Sequence, residues 1–170
     1  MPRFVSSIAT VGLAVVLAVP APVAASPCWR PPVTGVVADP FREPPCPYCA
    51  GNRGIEYRIG SRVLVRAVAS GTVSWAGSIA GTRYVVVRHA NGWRSTYGRL
   101  ASASLRTGDA VVAGASVGRA SGVFYFGLRR GDRYIDPEPF LGELRGRPRL
   151  IPVDGWVPRP APPARWRCGA

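Results

Sequence analysis

The chain has 170 residues, enough for one domain with a substantial core but too few for two comfortable ones. Its 20 glycines and 18 prolines exclude a coiled coil or a helical bundle, and its 47% hydrophobic content excludes full disorder. All 22 basic residues are arginine, against nine acidic residues, which gives a formal net charge of +13. Such a charge favours anionic partners, although a dispersed, solvated surface would also explain it.

The first 25 residues have the pattern of a secretory signal peptide. Arg3 precedes an apolar stretch from Ile8 to Val19, Pro20 interrupts it, and small residues lead to a predicted cleavage after Ala25. The stretch is too short to span a membrane, which takes about 20 apolar residues, and no later segment is long enough. We therefore expect a secreted protein of the periplasm or cell wall, with no transmembrane segment after cleavage. Export argues against nucleic acid as its partner.

Four cysteines follow the signal sequence, and an even number in an exported chain predicts disulfides. Of the three possible pairings we predict Cys28 with Cys168 and Cys46 with Cys49, because the first pair would tie both ends of the chain together. Cys46 and Cys49 also have the spacing of a redox dithiol. The residues after them read as a loop, whereas a redox site needs a helix N-terminus beside a βαβ unit.

Composition divides the mature chain into three parts. Residues 26–50, rich in proline and cysteine, predict an irregular arm, and residues 143–170 predict an extended tail rich in proline and arginine. Between them, residues 51–142 contain short β-branched runs separated by turn residues, which predict an all-β domain of the barrel or sandwich type. Strands are predicted over 62–68, 72–76, 82–89, 93–97 and 123–129, with short ones near Val111 and Val117, and Asn91-Gly92 predicts a hairpin turn.

The order of motifs in this domain resembles the lysostaphin/LytM-type peptidoglycan metallopeptidases, peptidase family twenty-three. The matching segments are Asn52-Arg53-Gly54-Ile55-Glu56, Ser70-Gly71-Thr72-Val73, Ser95-Thr96-Tyr97-Gly98-Arg99, the glycine-spaced run 108–118, residues 122–129 and Asp136-Pro137. The resemblance covers roughly residues 50–142. It implies a LytM-like β-barrel or sandwich, the duplicated hybrid motif type.

The resemblance also locates the zinc site of such enzymes, and here its residues are replaced. The three ligand positions fall on Asn52, Glu56 and Tyr125, and the two assisting histidines fall on Arg99 and Val123. Only Glu56 is a good zinc ligand, whereas catalytic zinc needs three and a water. The single histidine, His89, fits a hydrogen-bonded residue at a strand end. We therefore expect no catalytic residues and no metal or other cofactor.

The cleft left by these replacements is expected to bind instead of cleave. Asn52, Glu56, Tyr97, Arg99 and Tyr125 are the predicted groove residues. Arg99 would be a permanent cation for stem-peptide carboxylates. Trp75, Trp93 and Phe126 would stack on sugars or belong to the core.

Two classes of function follow from these expectations. The favoured one is an exported, non-catalytic domain that binds peptidoglycan or another anionic cell-envelope polymer, or regulates a cell-wall amidase or endopeptidase, as degenerate relatives do. The alternatives are an active zinc endopeptidase with atypical ligands and an exported thiol-disulfide protein.

Overall fold

In the computed structural model, residues 28–145 and 165–168 are described, and the fold they form is all-β. The predicted signal peptide and most of the predicted tail lie outside these residues. Eight strands form one antiparallel sheet: β1 (Val36–Asp39), β2 (Gly54–Arg66), β3 (Gly71–Ile79), β4 (Thr82–His89), β5 (Trp93–Ser102), β6 (Ala110–Val111), β7 (Ser116–Arg130) and β8 (Arg133–Ile135).

The sheet is open, with strands in the order β1-β2-β7-β5-β4-β3-β6 and β8 paired to β7 beyond the end of β2. The all-β expectation is therefore confirmed, but the sheet does not close into a barrel. No helix in the described residues is long and apolar enough to cross a membrane; a short 3-10 turn covers Glu138–Phe140.

Two strands are much longer than the sequence predicts. The predicted strand 62–68 is the second half of β2, and the predicted strands near Val117 and over 123–129 form one strand, β7. The register between β2 and β7 shifts between Ile59 and Val63, where Arg62 has a φ of 53° and its amide donates to the Ser121 hydroxyl. A bulge bends the strand that contains it, so β2 changes direction at this point along its pairing with β7.

Alternation along the strands gives the sheet a core face and an opposite face. The core side chains are the large apolar residues of alternate positions, all under a tenth exposed: Ile55, Tyr57, Ile59, Val65, Val73, Val85, Val87, Tyr97, Phe124 and Phe126. Intervening residues of the same strands point to the other face, where the candidate site lies.

The arm and the tail are more regular than predicted. Within the arm, Val36–Asp39 is a strand that pairs with β2, so the arm extends the sheet. In the tail, β9 (Glu143–Arg145) pairs with β10 (Arg165–Arg167). The disulfides Cys28–Cys168 and Cys46–Cys49 are present, as predicted, and no described cysteine is free. The first disulfide ties the arm to the end of the chain.

Candidate functional site

The face opposite the core carries a groove of about 720 Å³ that crosses strands β2, β3, β4, β5, β7 and β8. Strand pairing arranges its floor in three rows. One row runs through Tyr84, Gly98, Tyr125 and Glu56, the middle row through Val86, Thr96, Gly127 and Gly54, and the third through Arg88, Arg94, Arg129 and Tyr134. The middle row is made of small residues, and it separates a tyrosine-lined end from an arginine-lined end.

Glu56 and Tyr125, two of the predicted ligand positions, are direct neighbours in this groove. They are opposite each other in the pairing of β2 with β7, and both line the groove. Arg99 joins them because its guanidinium donates to Glu56 Oε1 over 2.8 Å. Strand alternation alone would place Arg99 on the core side after Tyr97. A register shift between Gly98 and Leu100, with a φ of 57° at Arg99, places its side chain in the groove instead.

The pairing of Arg99 with Glu56 changes the role predicted for the arginine. The side chain of Arg99 is half exposed and that of Glu56 about a quarter exposed. The carboxylate neutralises much of the positive charge that a ligand would meet at Arg99. A guanidinium has five donors, however, and those not used by Glu56 stay open to a ligand.

Tyr125 lies over the glycines of the floor. A Cβ added to Gly54 would be 2.8 Å from its ring, one on Gly98 would be 3.0 Å from its ring, and one on Gly127 would be 2.7 Å from its hydroxyl. Glycine at these positions therefore makes room for the ring. Burial, reinforced by Tyr134 and Tyr84, raises the pKa of Tyr125 well above its ordinary value. The phenol stays neutral, and a neutral phenol is a poor zinc ligand.

Asn52, the other predicted ligand position, does not line the groove. Its side-chain amide donates to the backbone carbonyls of Asp39 (3.2 Å) and Pro40 (3.1 Å), and its Oδ1 accepts from the Gly54 amide (3.3 Å). The residue is 8% exposed. Its polar atoms hold the arm against the domain, so the prediction that Asn52 is a groove residue is wrong.

The residues present do not fit the zinc ion that the family resemblance implies. Asn52 points to the arm, Tyr125 is a neutral phenol, and Glu56 already accepts from a guanidinium. Val123, at one assisting position, is a half-buried apolar residue of β7 that lies with Arg99 at a separate shallow depression. In the described residues no three His, Cys, Asp or Glu side chains come together. The donor set at these positions therefore supports no catalytic step through a metal.

Tyr97 is a core residue, which corrects its prediction as part of the groove. Strand alternation puts Thr96 and Gly98 on the groove face and Tyr97 on the other side, where its side chain has no exposed surface. The hydroxyl accepts from the Val68 amide (2.9 Å), and Ser95 Oγ lies 3.1 Å away. Burial raises the pKa of Tyr97 to about 12.

Of the three aromatic residues proposed to stack on sugars, one lines the groove and two do not. Phe126 is fully buried in the core. Trp93 packs edge-on against Trp29 and Phe140, with ring centroids 5.7 and 4.9 Å apart. Trp75 alone of the three lines the groove, and it is 37% exposed.

His89, the single histidine, is at the end of β4, as expected. It is buried on the core side, where Nδ1 lies 2.9 Å from the Ser70 carbonyl and Nε2 lies 2.8 Å from Ser95 Oγ. Both ring nitrogens are therefore satisfied by the fold, and the side chain is not a groove residue.

The Cys46–Cys49 loop has none of the features of a redox site. The Cys49 amide donates to the Cys46 carbonyl over 3.1 Å, which closes a turn. Residues 50–53 then lead directly into strand β2. A helix N-terminus, the usual device that lowers a thiol pKa in such motifs, is not present in this part of the described chain.

The arginines of the third row were missed by the sequence prediction. The three-residue hairpin loop Ala90-Asn91-Gly92 places Arg88 directly opposite Arg94, and Arg129 is opposite Arg94 on the other side. A two-residue Asn91-Gly92 loop would instead place Arg88 opposite Ser95, so the turn signal alone does not give the first of these pairings. The second depends on β5 pairing with β7, which no local signal specifies.

Comparison with known proteins agrees with the fold. The model of peptidase family M23 matches residues 50–137. Csd3 of Helicobacter pylori is 23% identical with a TM-score of 0.60, over 69% of this chain and 35% of that chain. The catalytic domain of the prophage-encoded M23 protein EnpA from Enterococcus faecalis, solved as a mutant, is 23% identical with a TM-score of 0.54, over 64% and 95%.

A further structure with the same fold is a complex. The SpoIIQ–SpoIIIAH pore-forming complex matches at 21% identity and a TM-score of 0.60, over 69% of this chain and 92% of that chain. At these identities the likeness shows the fold alone. The chain spans only about a third of the length of Csd3. No curated protein matches the sequence.

Proposed function

The chain belongs to peptidase family M23, and from that premise we propose that it is an exported, non-catalytic member that binds peptidoglycan through its groove. Binding of the wall would let it act as a regulator of a cell-wall hydrolase, such as an amidase or endopeptidase. The observation that carries the proposal is the state of the former zinc positions: Asn52 holds the arm, Tyr125 covers the floor, and Glu56 is paired with Arg99.

The lining of the groove has features that suit a fragment of peptidoglycan. Stem peptides carry free carboxylates, which suit the planar fork of an arginine. Trp75 and Tyr84 line the same groove, and their aromatic faces suit sugar rings. The groove has four arginines and one carboxylate among its lining residues, so its net charge favours an anionic ligand.

Export is consistent with the two disulfides, which form and persist in oxidising compartments. A protein partner is also consistent with the fold, since SpoIIQ was solved together with SpoIIIAH. For this chain the regulated partner would be the hydrolase itself, held at the wall by the groove.

The first experiment measures metal and activity on the purified mature protein. We expect well under one zinc per chain by elemental analysis, no loss of melting temperature with chelators, and no cleavage of purified peptidoglycan with zinc added. Stoichiometric zinc together with zinc-dependent cleavage would support the alternative, an active endopeptidase with atypical ligands.

The second experiment measures sedimentation with purified peptidoglycan at two salt concentrations. Arg99→Ala removes donors from the groove and leaves the Glu56 carboxylate unpaired. The affinity for peptidoglycan, whose stem peptides carry carboxylates, should therefore fall about ten- to hundredfold. Trp75→Ala should weaken binding through the lost stacking surface. Arg106→Ala, an exposed arginine outside the groove, is the charge-matched control. If Arg106→Ala weakens binding as much as Arg99→Ala does, general charge binds the wall and the groove does not.

A further inference from the structure

We propose that the arginine row, defined as Arg88, Arg94 and Arg129, is a binding site for a phosphate group. The proposal concerns the end of the groove away from Glu56 and Tyr125, and it adds a second ligand chemistry to the carboxylate binding proposed above. It rests on the proposed binding role of the groove but not on the loss of catalysis.

The first support is the strand register. Arg88 is the direct partner of Arg94 across β4 and β5, and Arg94 is the direct partner of Arg129 across β5 and β7. All three side chains line the groove. Neighbouring strands lie about 4.8 Å apart, so three like charges stand side by side across about 10 Å. Like charges directly opposite each other destabilise a sheet, which makes this row costly for folding.

The second support is that the row is not neutralised by the fold. Within residues 28–145 and 165–168, neither Arg88 nor Arg94 has an ion-pair partner. Arg129 is 3.3 Å from Asp132, whose side chain is 94% exposed. The only carboxylate among the groove-lining residues, Glu56, is already paired with Arg99. The row therefore keeps most of its positive charge.

The third support is an unsatisfied donor. Arg129 Nε is buried and, among the described residues, has no hydrogen-bond partner. Its guanidinium lies 4.8 Å from the centre of the Tyr134 ring, which fixes the plane of the group. A buried charged donor without an acceptor is costly in a folded protein, and an oxyanion bound to the accessible part of this guanidinium, whose side chain is 28% exposed, would stabilise its charge.

These three features match phosphate better than a single carboxylate. Arginine binds phosphate through two parallel N–H bonds, and three adjacent guanidiniums offer more donors than one carboxylate can accept. A phosphate or diphosphate group has three or more acceptor oxygens and a higher negative charge than a carboxylate. It therefore complements a row of three cations better. In the cell envelope this chemistry has two sources: phosphodiester polymers of the wall, and diphosphate-linked sugar precursors.

The test uses the full mature protein with inorganic phosphate, pyrophosphate and a synthetic glycerol-phosphate oligomer, with acetate and succinate as carboxylate probes. Binding is measured by calorimetry and by the shift in melting temperature at constant ionic strength. We expect the phosphate probes to bind at least tenfold more tightly than the carboxylate probes. Preference for the oligomer would identify a polymer as the source, and preference for pyrophosphate a diphosphate precursor.

Arg94→Gln is the decisive variant, because Arg94 is the central member of the row. It should weaken the phosphate probes about ten- to hundredfold. In the absence of ligand it should raise the melting temperature, because it removes two like-charge contacts at once. Arg106→Gln is the matched control and should change neither quantity.

Equal binding of carboxylate and phosphate probes would overturn the proposal, and so would unchanged phosphate binding by Arg94→Gln. A lower melting temperature for ligand-free Arg94→Gln would also overturn it, because the row would then contribute to folding. Peptidoglycan sedimentation is scored separately with Arg99→Ala. A protein that sediments with the wall but ignores phosphate therefore refutes this inference alone, and the reverse result refutes the proposed function alone.

Discussion

At the scale of single residues, the side chains at the predicted ligand positions make contacts within the fold. Tyr125 shows this most directly, since its ring lies over Gly54, Gly98 and Gly127 and leaves them no room for a side chain. Glu56, the one ligand-type residue retained, is held by the guanidinium of Arg99. A single histidine placed at one of these positions would therefore not by itself be expected to create a metal site, because the neighbouring side chains are engaged in other contacts.

His89 illustrates how one residue can make folding depend on pH. The Ser70 carbonyl can only accept, so Nδ1 of His89 carries the proton and Nε2 accepts from the Ser95 hydroxyl. The Ser95 oxygen is then free to accept from Tyr97, whose own oxygen accepts from the Val68 amide. Protonation of Nε2 would reverse this chain and leave one hydroxyl proton without an acceptor.

The fold consequently prefers neutral His89. Burial lowers its pKa, and the hydrogen bond to Ser70 opposes the shift only in part. Below a pH of about 6.5, His89 becomes protonated in the unfolded chain but stays neutral in the folded protein. The free energy of unfolding therefore falls as the pH is lowered. Urea unfolding between pH 7.5 and 5.5 should show a loss of up to about 1.4 kcal/mol per pH unit. His89→Gln should flatten this slope, and a flat wild-type curve would contradict a neutral buried histidine.

At the scale of elements, the edge strand β1 is held by its backbone pairing with β2 and by polar contacts at its end. Strand β1 is at the edge, and its Val36 and Val37 side chains are 72% and 46% exposed, so little apolar burial holds it there. Asn52 adds an attachment through the Asp39 and Pro40 carbonyls. The position that resembles a zinc ligand has thus become an anchor for the arm.

Asn52→Ala should therefore weaken the attachment of strand β1 to the sheet. The change leaves two backbone carbonyls without their donor, which should cost about 1–3 kcal/mol in the free energy of unfolding. Hydrogen exchange of the β1 amides should speed up more than exchange in β4 or β5. Asn91→Ala, which removes one exposed turn contact to the Trp93 amide, is the control and should cost less. Equal exchange rates for β1 in wild type and Asn52→Ala would contradict the anchoring role.

At the scale of the whole molecule, the two disulfides act over very different lengths of chain. Cys28 and Cys168 are 140 residues apart in sequence, and Cys46 and Cys49 are three apart. A cross-link restricts the unfolded chain more when the loop it closes is longer. The terminal disulfide should therefore stabilise the fold more than the local one.

Replacing each pair with alanines should reveal this difference. From loop length we expect a loss of about 5 kcal/mol for the Cys28–Cys168 pair and about 2 kcal/mol for the Cys46–Cys49 pair. Denaturant unfolding of both double variants measures the two values, and thiol titration of the native protein should find no reactive cysteine. Two or more reactive thiols in the native protein would contradict the structural role of both disulfides.

Local signals in the sequence were enough to predict the all-β class, the family, the hairpin at Asn91-Gly92 and the formation of disulfides. These signals are β-branched runs, Asn-Gly and glycine turns, cysteine number and motif order. They did not predict the first half of β2, because glycine, arginine and serine hid the alternation of Ile55, Tyr57 and Ile59, all buried. They also did not predict β1, since proline and cysteine dominate the composition of the arm.

Which side chains share the groove depends instead on how the strands pair. Tyr97 and Arg99 are two residues apart and would point the same way in a regular strand, but a bulge sends one to the core and the other to the groove. The arginine row exists only because β5 pairs with β7, two strands that are neighbours in the sheet but not in the chain. Register between such strands is set by packing of the whole core, and no local pattern of residues encodes it.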